Sequence, residues 1–131
     1  LVVDDNFTFR EAFQDLLHLL YPTWCVLGAS SGFEAIEVAK IKQPNLIFLD
    51  FHMPGMNGFE VAMALREMVE TSLIPLVLIS SEEADHPIVM HLVAMCQAIL
   101  RKPFSLCELE HALGRLLHAH SSLPFVPLPT T

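Results

Sequence analysis

Three acids and one amine stand where chemistry could be done. Asp50 ends the apolar run Asn45-Leu46-Ile47-Phe48-Leu49 and is followed by Phe51-His52-Met53-Pro54-Gly55. Asp4 and Asp5 end the run Leu1-Val2-Val3, and Lys102 follows a short run containing Ile99 and Leu100. A carboxylate at the C-terminal tip of a buried strand, entering a turn, is a typical ligand position in an α/β sheet. On neighbouring parallel strands these groups converge at one sheet edge, a site for a hard divalent cation and a phosphoryl group. Magnesium takes near-octahedral oxygen ligands, one or two of them protein carboxylates. Asp5 and Asp50 can bind it directly, Asp4 can hold a water, and a backbone carbonyl at His52 can complete the protein's share. Asp50 is also the natural nucleophile, with the metal and Lys102 neutralising the transferred charge. Ser80 ends a later apolar run with a hydroxyl able to bond a phosphoryl oxygen. Any one of these acids alone is equally well a helix cap or a solvated turn; their joint placement at strand ends favours a site.

The elements that would position them alternate five times. Residues 1–4 read as strand and about 7–20 as helix, with Phe9, Phe13, Leu16, Leu17 and Leu20 on one face. Strand two is expected over Trp24 to Ala29, and helix two over about 31–42 with Phe33, Ile36, Val38 and Ala39. Strand three is 45–50. Helix three starts near Asn57 and carries Phe59, Val61, Leu65 and Met68. Strand four is Leu76 to Ser80, helix four about 84–96, and strand five 97–101. Helix five opens with the capping-box pattern Ser105-Leu106-Cys107-Glu108 and runs to about 120. The strands are continuous apolar runs, which suits a parallel sheet covered on both faces. Five βα units with right-handed crossovers give an α/β, doubly wound, flavodoxin-like sheet. The order 2-1-3-4-5 puts the ligand site at the β1/β3 switch point.

Composition bounds the rest. The chain has 131 residues, 53% hydrophobic, enough for one domain with a single core. The net charge of −8 opposes binding nucleic acid. No stretch is long enough for a membrane span, and none resembles a signal peptide. Cys25, Cys96 and Cys107 lack metal-like spacing and read as reduced core residues of a cytoplasmic protein. The chain starts inside a strand without a methionine, so it reads as a fragment or trimmed domain. Residues 1–120 form the domain; 121–131 is a Pro-rich tail or linker.

Here the motifs resemble a known family. Val2-Val3-Asp4-Asp5-Asn6, Leu49-Asp50-Phe51-His52-Met53-Pro54-Gly55-Met56-Asn57-Gly58, Ile79-Ser80-Ser81 and Lys102-Pro103-Phe104 are similar, in type and spacing, to the CheY-like receiver domains of bacterial two-component response regulators. The Asn6…Phe9-Arg10-Glu11 stretch looks more like the NarL-like subgroup, whose members often carry a C-terminal DNA-binding domain. The resemblance implies a magnesium-dependent signalling switch in a phosphorelay. Asp50 would take a phosphoryl group from a histidine kinase or phosphotransfer protein. Asp4 and Asp5 would complete the acidic pocket, Ser80 would be the switch hydroxyl, and Lys102 would pair with the phosphate. Beyond its own phosphoryl transfer and dephosphorylation, no enzymatic activity is implied. A cis bond between Lys102 and Pro103 is also implied. Ile99 departs from the pattern by standing where many receivers carry a switching Tyr or Phe. Met95-Cys96 replaces the Gly-Ala pair common before strand five, and Ser80 replaces the commoner Thr.

Two other chemistries fit less well. A phosphoaspartyl hydrolase of the haloacid-dehalogenase type needs a second Asp two residues after the nucleophile, where this chain has His52. A flavin site needs a Ser/Thr/Gly-rich first turn, where this chain has Asp4-Asp5-Asn6. The histidines read mainly as surface or helix-end groups; His52, two residues beyond Asp50, reads equally as a group that shields the phosphorylated site or contacts its water and as a solvated loop histidine. Helix four carries no formal charge from Ile88 to Cys96. Val89, Leu92, Val93 and Cys96 are expected to face the sheet, leaving Ile88, Met90, Ala94 and Met95 around His91 outside. That outer face, with strand five, reads as a surface for a second copy, an effector, or the tail with its Phe125, Val126 and Leu128.

Overall fold

The computed structural model describes residues 1–81 and 87–120. Five parallel strands form one sheet in the order β2-β1-β3-β4-β5. The strands are β1 (Val2–Val3), β2 (Gly28–Ala29), β3 (Ile47–Asp50), β4 (Leu76–Ser80) and β5 (Ala98–Arg101). Between and after them run α1 (Phe7–Leu20), α2 (Gly32–Lys42), α3 (Gly58–Glu67), α4 (Pro87–Met95) and α5 (Leu106–His120). This is the expected doubly wound, flavodoxin-like sheet.

Side chains alternate across a strand, so each strand feeds two cores. Val3, Ile47, Leu49, Leu76 and Leu78 pack with Ala35 and Ala39 of α2, Val61, Ala62 and Leu65 of α3, and Leu92 of α4. Val2, Phe48, Val77, Ile79 and Leu100 pack on the other face with Phe13 and Leu17 of α1 and Leu109, Leu113 and Leu116 of α5. Burial on both faces is why the strands read as unbroken apolar runs.

Local chemistry sets the helix starts. Asn6 caps α1 by accepting from the Phe9 amide, and Ser31 caps α2 by accepting from the Glu34 amide. Asn57 and Glu60 form a reciprocal capping box at α3, as Ser105 and Glu108 do at α5.

Several expectations need correction. β2 is shorter than Trp24–Ala29: only Gly28 and Ala29 pair with β1, and residues 21–24 turn over the end of α1. There the Trp24 amide donates to the Tyr21 carbonyl, and the two rings stack with centroids 4.1 Å apart. Phe33 is exposed; the small Ala35 and Ala39 supply the buried face of α2 instead. Cys25 and Cys107 are exposed and Cys96 only partly buried, so the cysteines are free thiols but not a core set. Burial still pushes the Cys96 thiol up to about 12.

Helix four is rotated from its expected orientation. Leu92 is buried and Met95 and Cys96 pack on the core, while Val93 and Ala94 are exposed beside an exposed His91. Met95 therefore leaves the outer face assigned to it, and Val93 leaves the inner one. The inward set is Leu92, Met95 and Cys96, spaced i, i+3, i+4 at the point where the helix ends. The Cys96 amide closes that end by donating to the Val93 carbonyl. The side chains of Ile88, Val89 and Met90, and the tail 121–131, lie outside the described residues.

One cation fastens this end of the molecule. The half-buried Arg66 guanidinium donates to the carbonyls of Ser72, Ile74 and Met95 and to Gln97 Oε1. Gln97 Oε1 also accepts from the Leu76 amide. The end of α4, the start of β4 and the start of β5 thus share one clasp.

Candidate functional site

Register places the acids. Val3 of β1 pairs with Leu49 of β3, so Asp4 and Asp50 lie side by side at the C-terminal edge. Asp50 pairs with Ile79, leaving Ser80 one step further along β4; Ser80 pairs with Arg101, and Lys102 follows. The Lys102 amide donates to the Ser80 carbonyl at 2.9 Å. A one-residue slip in any strand would turn these groups to the other face. The bond between Lys102 and Pro103 is cis, as the resemblance implied.

The carboxylates of Asp4, Asp5 and Asp50 each offer an oxygen within 4.8 Å of the others. Asp4 and Asp50 are buried, whereas Asp5 is exposed. Lys102 Nζ lies 2.8 Å from Asp4 Oδ2 and 3.6 Å from Asp50 Oδ1. Asp4 Oδ1 accepts from the Asn6 amide, so both oxygens of Asp4 are engaged. Arg10, one turn into α1, donates to the Asp4 backbone carbonyl at 2.7 Å.

Three carboxylates face one ammonium, and Asp50 shows the imbalance. Its carboxyl is pushed from 3.8 up to about 6, first by burial, then by the charge of Asp4 and further by Asp5. Lys102 and His52 oppose this shift without cancelling it. A hard cation among three carboxylate oxygens would supply the missing charge, so the donor set fits magnesium.

The other expected residues divide. Ser80 is fully buried at the tip of β4. The His52 side chain is exposed, its ring 5.0 Å from that of Phe51. Ile99 is partly buried and packs on the core beneath α4.

Sequence reasoning missed three contributors. Gly58 opens α3 where a Cβ would stand 2.8 Å from the Asp50 carbonyl oxygen and 2.9 Å from Phe51 Cα. A side chain there would displace the backbone that carries Asp50. Its place in the turn motif was visible, but its reason was not. Phe9 lies under the Lys102 ammonium at 4.1 Å from the ring centroid. Arg10 holds the Asp4 backbone; neither its type nor its spacing announces that contact.

Comparison with known proteins bears on the family and the fold. The family model described as the response regulator receiver domain matches residues 1–114. The two-component response regulator ARR17 of Arabidopsis thaliana is 30% identical over 133 residues, covering 92% of this chain and 86% of its own. The chemotaxis protein CheY4 of Vibrio cholerae superposes with a TM-score of 0.76 at 28% identity, covering 87% of this chain and 93% of that one. The receiver domain of a Pseudomonas aeruginosa sensor histidine kinase, solved with a magnesium ion in its active site cleft, superposes with a TM-score of 0.78. At 20% identity over 89% of this chain and 94% of that one, it bears on the fold alone. The chain spans only 14% to 48% of several longer bacterial relatives. A sheet with its acids at the β1/β3 switch point, and a family match over nearly all of its described length, lead to one conclusion: the chain belongs to the receiver domain family of two-component response regulators.

Proposed function

We propose that Asp50 is the phosphoacceptor of this receiver domain. The observation that carries this is the trio of carboxylates within 4.8 Å of one another, with Lys102 Nζ 2.8 and 3.6 Å from two of them. Asp5, Asp50 and the backbone carbonyl of His52 would hold magnesium directly, and Asp4 would hold a water. A bound magnesium would supply the positive charge that lets a phosphoryl group approach these acids. An Asp50 carboxylate oxygen attacks phosphorus as the bond to the donor histidine nitrogen breaks. Lys102 compensates the charge gained at Asp50, and the Ser80 hydroxyl donates to a phosphoryl oxygen. The donor is a histidine kinase or phosphotransfer protein, in the cytoplasm. No helix among the described residues is long and apolar enough to cross a membrane.

The output surface is the exposed side of α4 around His91, with β5. Residues 121–131 serve as the linker or arm that follows the domain.

Intact mass after incubation with acetyl phosphate and magnesium tests the assignment. One phosphate adduct is expected, absent in Asp50→Asn and suppressed by a chelator. An adduct that survives Asp50→Asn, or forms equally well without metal, removes Asp50 from this role.

A further inference from the structure

Lys102 is poorly placed for its task by charge alone. Its ammonium is closer to Asp4 Oδ2, at 2.8 Å, than to Asp50 Oδ1, at 3.6 Å. The ammonium thus sits nearer the carboxylate that does not accept, yet stays 3.6 Å from the one that does. Lysine is a point charge on a flexible stem, and this side chain keeps about a quarter of its surface exposed (26%). A third group, besides the two acids, touches its head group.

The face of the Phe9 ring lies 4.1 Å from Lys102 Nζ. An aromatic face attracts a cation through its negative quadrupole and excludes water from that side. The ring is itself held. Phe104, two residues after Lys102, meets it edge-on at 6.3 Å and 82°. Phe13 lies 5.7 Å from it and in turn meets Phe48 at 4.9 Å and 76°. Phe48 is on β3, two residues before Asp50. The ring's position is thus referenced both to the lysine's own segment and to the strand that bears the acceptor.

We infer that Phe9 is a positioning residue: its ring face holds the Lys102 ammonium within reach of Asp50, and phosphoryl transfer depends on the π-electron density at position 9. The inference rests on the phosphoacceptor reading of Asp50. In the transfer from acetyl phosphate, the Asp50 oxygen–phosphorus bond forms, the donor's phosphorus–oxygen bond breaks, and acetate leaves. Phe9 acts on that step only through Lys102.

The test replaces Phe9 in the full chain by Leu, by Tyr, and by phenylalanines carrying one, two and three ring fluorines. Fluorination removes π-electron density with little change of shape. The phosphorylation rate with acetyl phosphate and magnesium is read by intact mass. Phe9→Leu is expected to slow it roughly three- to tenfold. Phe9→Tyr restores it, and the fluorinated series falls step by step. The second readout is the proton shift of the Lys102 side chain in the unphosphorylated protein, moved upfield by the ring and returning to normal in Phe9→Leu. Equal rates across the fluorinated series overturn the inference even if Phe9→Leu fails to fold, and so does a Lys102 shift indifferent to the ring. If the unaltered protein gains no phosphate at Asp50, the phosphoacceptor reading fails instead. The Lys102 shift then still decides whether the ring holds the ammonium.

Discussion

Replacing Asp50 by Asn should make the metal-free domain more stable at neutral pH. Its carboxyl is pushed from 3.8 up to about 6, first by burial and then by Asp4. A raised carboxyl value means the folded state prefers the protonated form. The stabilising contribution is full below 3.8 and is lost as pH rises through about 6. At about 1.4 kcal/mol per pH unit, the ionised Asp50 costs the folded state about 3 kcal/mol at neutral pH. Asn carries no charge and has nearly the same shape, so it should recover most of this. A gain of about 2–3 kcal/mol corresponds to a rise of about 10 °C in melting temperature for a domain of this size. Thermal unfolding in chelator at about pH 4 and about pH 7.5 reads the effect. The gain should be present at the higher pH and nearly absent at the lower one. Magnesium should narrow it by stabilising the unaltered protein, which alone has three carboxylates to offer. A gain of equal size at both pH values, or no gain at all, would show that charge on Asp50 is not what the fold resists.

Two further outcomes follow from the same geometry. Lys102→Ala should fold and bind magnesium yet lose the phosphorylation-dependent change in amide chemical shifts. The phosphoryl charge would lack its nearby cation, and a variant that still shows the normal change contradicts the role given to Lys102. Gly58→Ala would press its Cβ to 2.8 Å from the Asp50 carbonyl oxygen and 2.9 Å from Phe51 Cα. Both neighbours are backbone, so the domain should lose about 1–3 kcal/mol in urea unfolding and take up phosphate more slowly; unchanged stability would show that the turn has room.

The sheet and its acids were legible because both follow from short-range pattern. Apolar runs buried on two faces, each ended by a carboxylate, hydroxyl or turn, give strand number, parallel pairing and the edge where the acids gather. Ser105 and Glu108 announced the start of α5 through residues only three apart. Helix four gave its existence but not its rotation. Its residues are apolar all round, so no polar stripe marks the outside, and the end of the helix at Met95 decided the face. Cys25 and Cys107 misled for a related reason, since an apolar neighbourhood in sequence does not bury a thiol on an irregular segment or a helix's outer side. The contacts of Phe9 with Lys102 and of Arg66 with Met95 join residues 93 and 29 positions apart, and the second meets only a backbone carbonyl. No periodicity carries such information.

The Arg66 clasp gives α4 the mechanics of a lever. The helix runs from Pro87, on the edge of the sheet that bears the acids, to Met95, whose carbonyl the guanidinium grips together with Gln97. Its fulcrum is therefore at the end remote from chemistry. Nine residues make an arm about 13 Å long. A rotation about that fulcrum would move Pro87 most and Gln97 least, so strand five could keep its register with β4. Any displacement entering at the Pro87 end would reach the exposed His91, Val93 and Ala94 as a tilt, with the length of the arm setting its size.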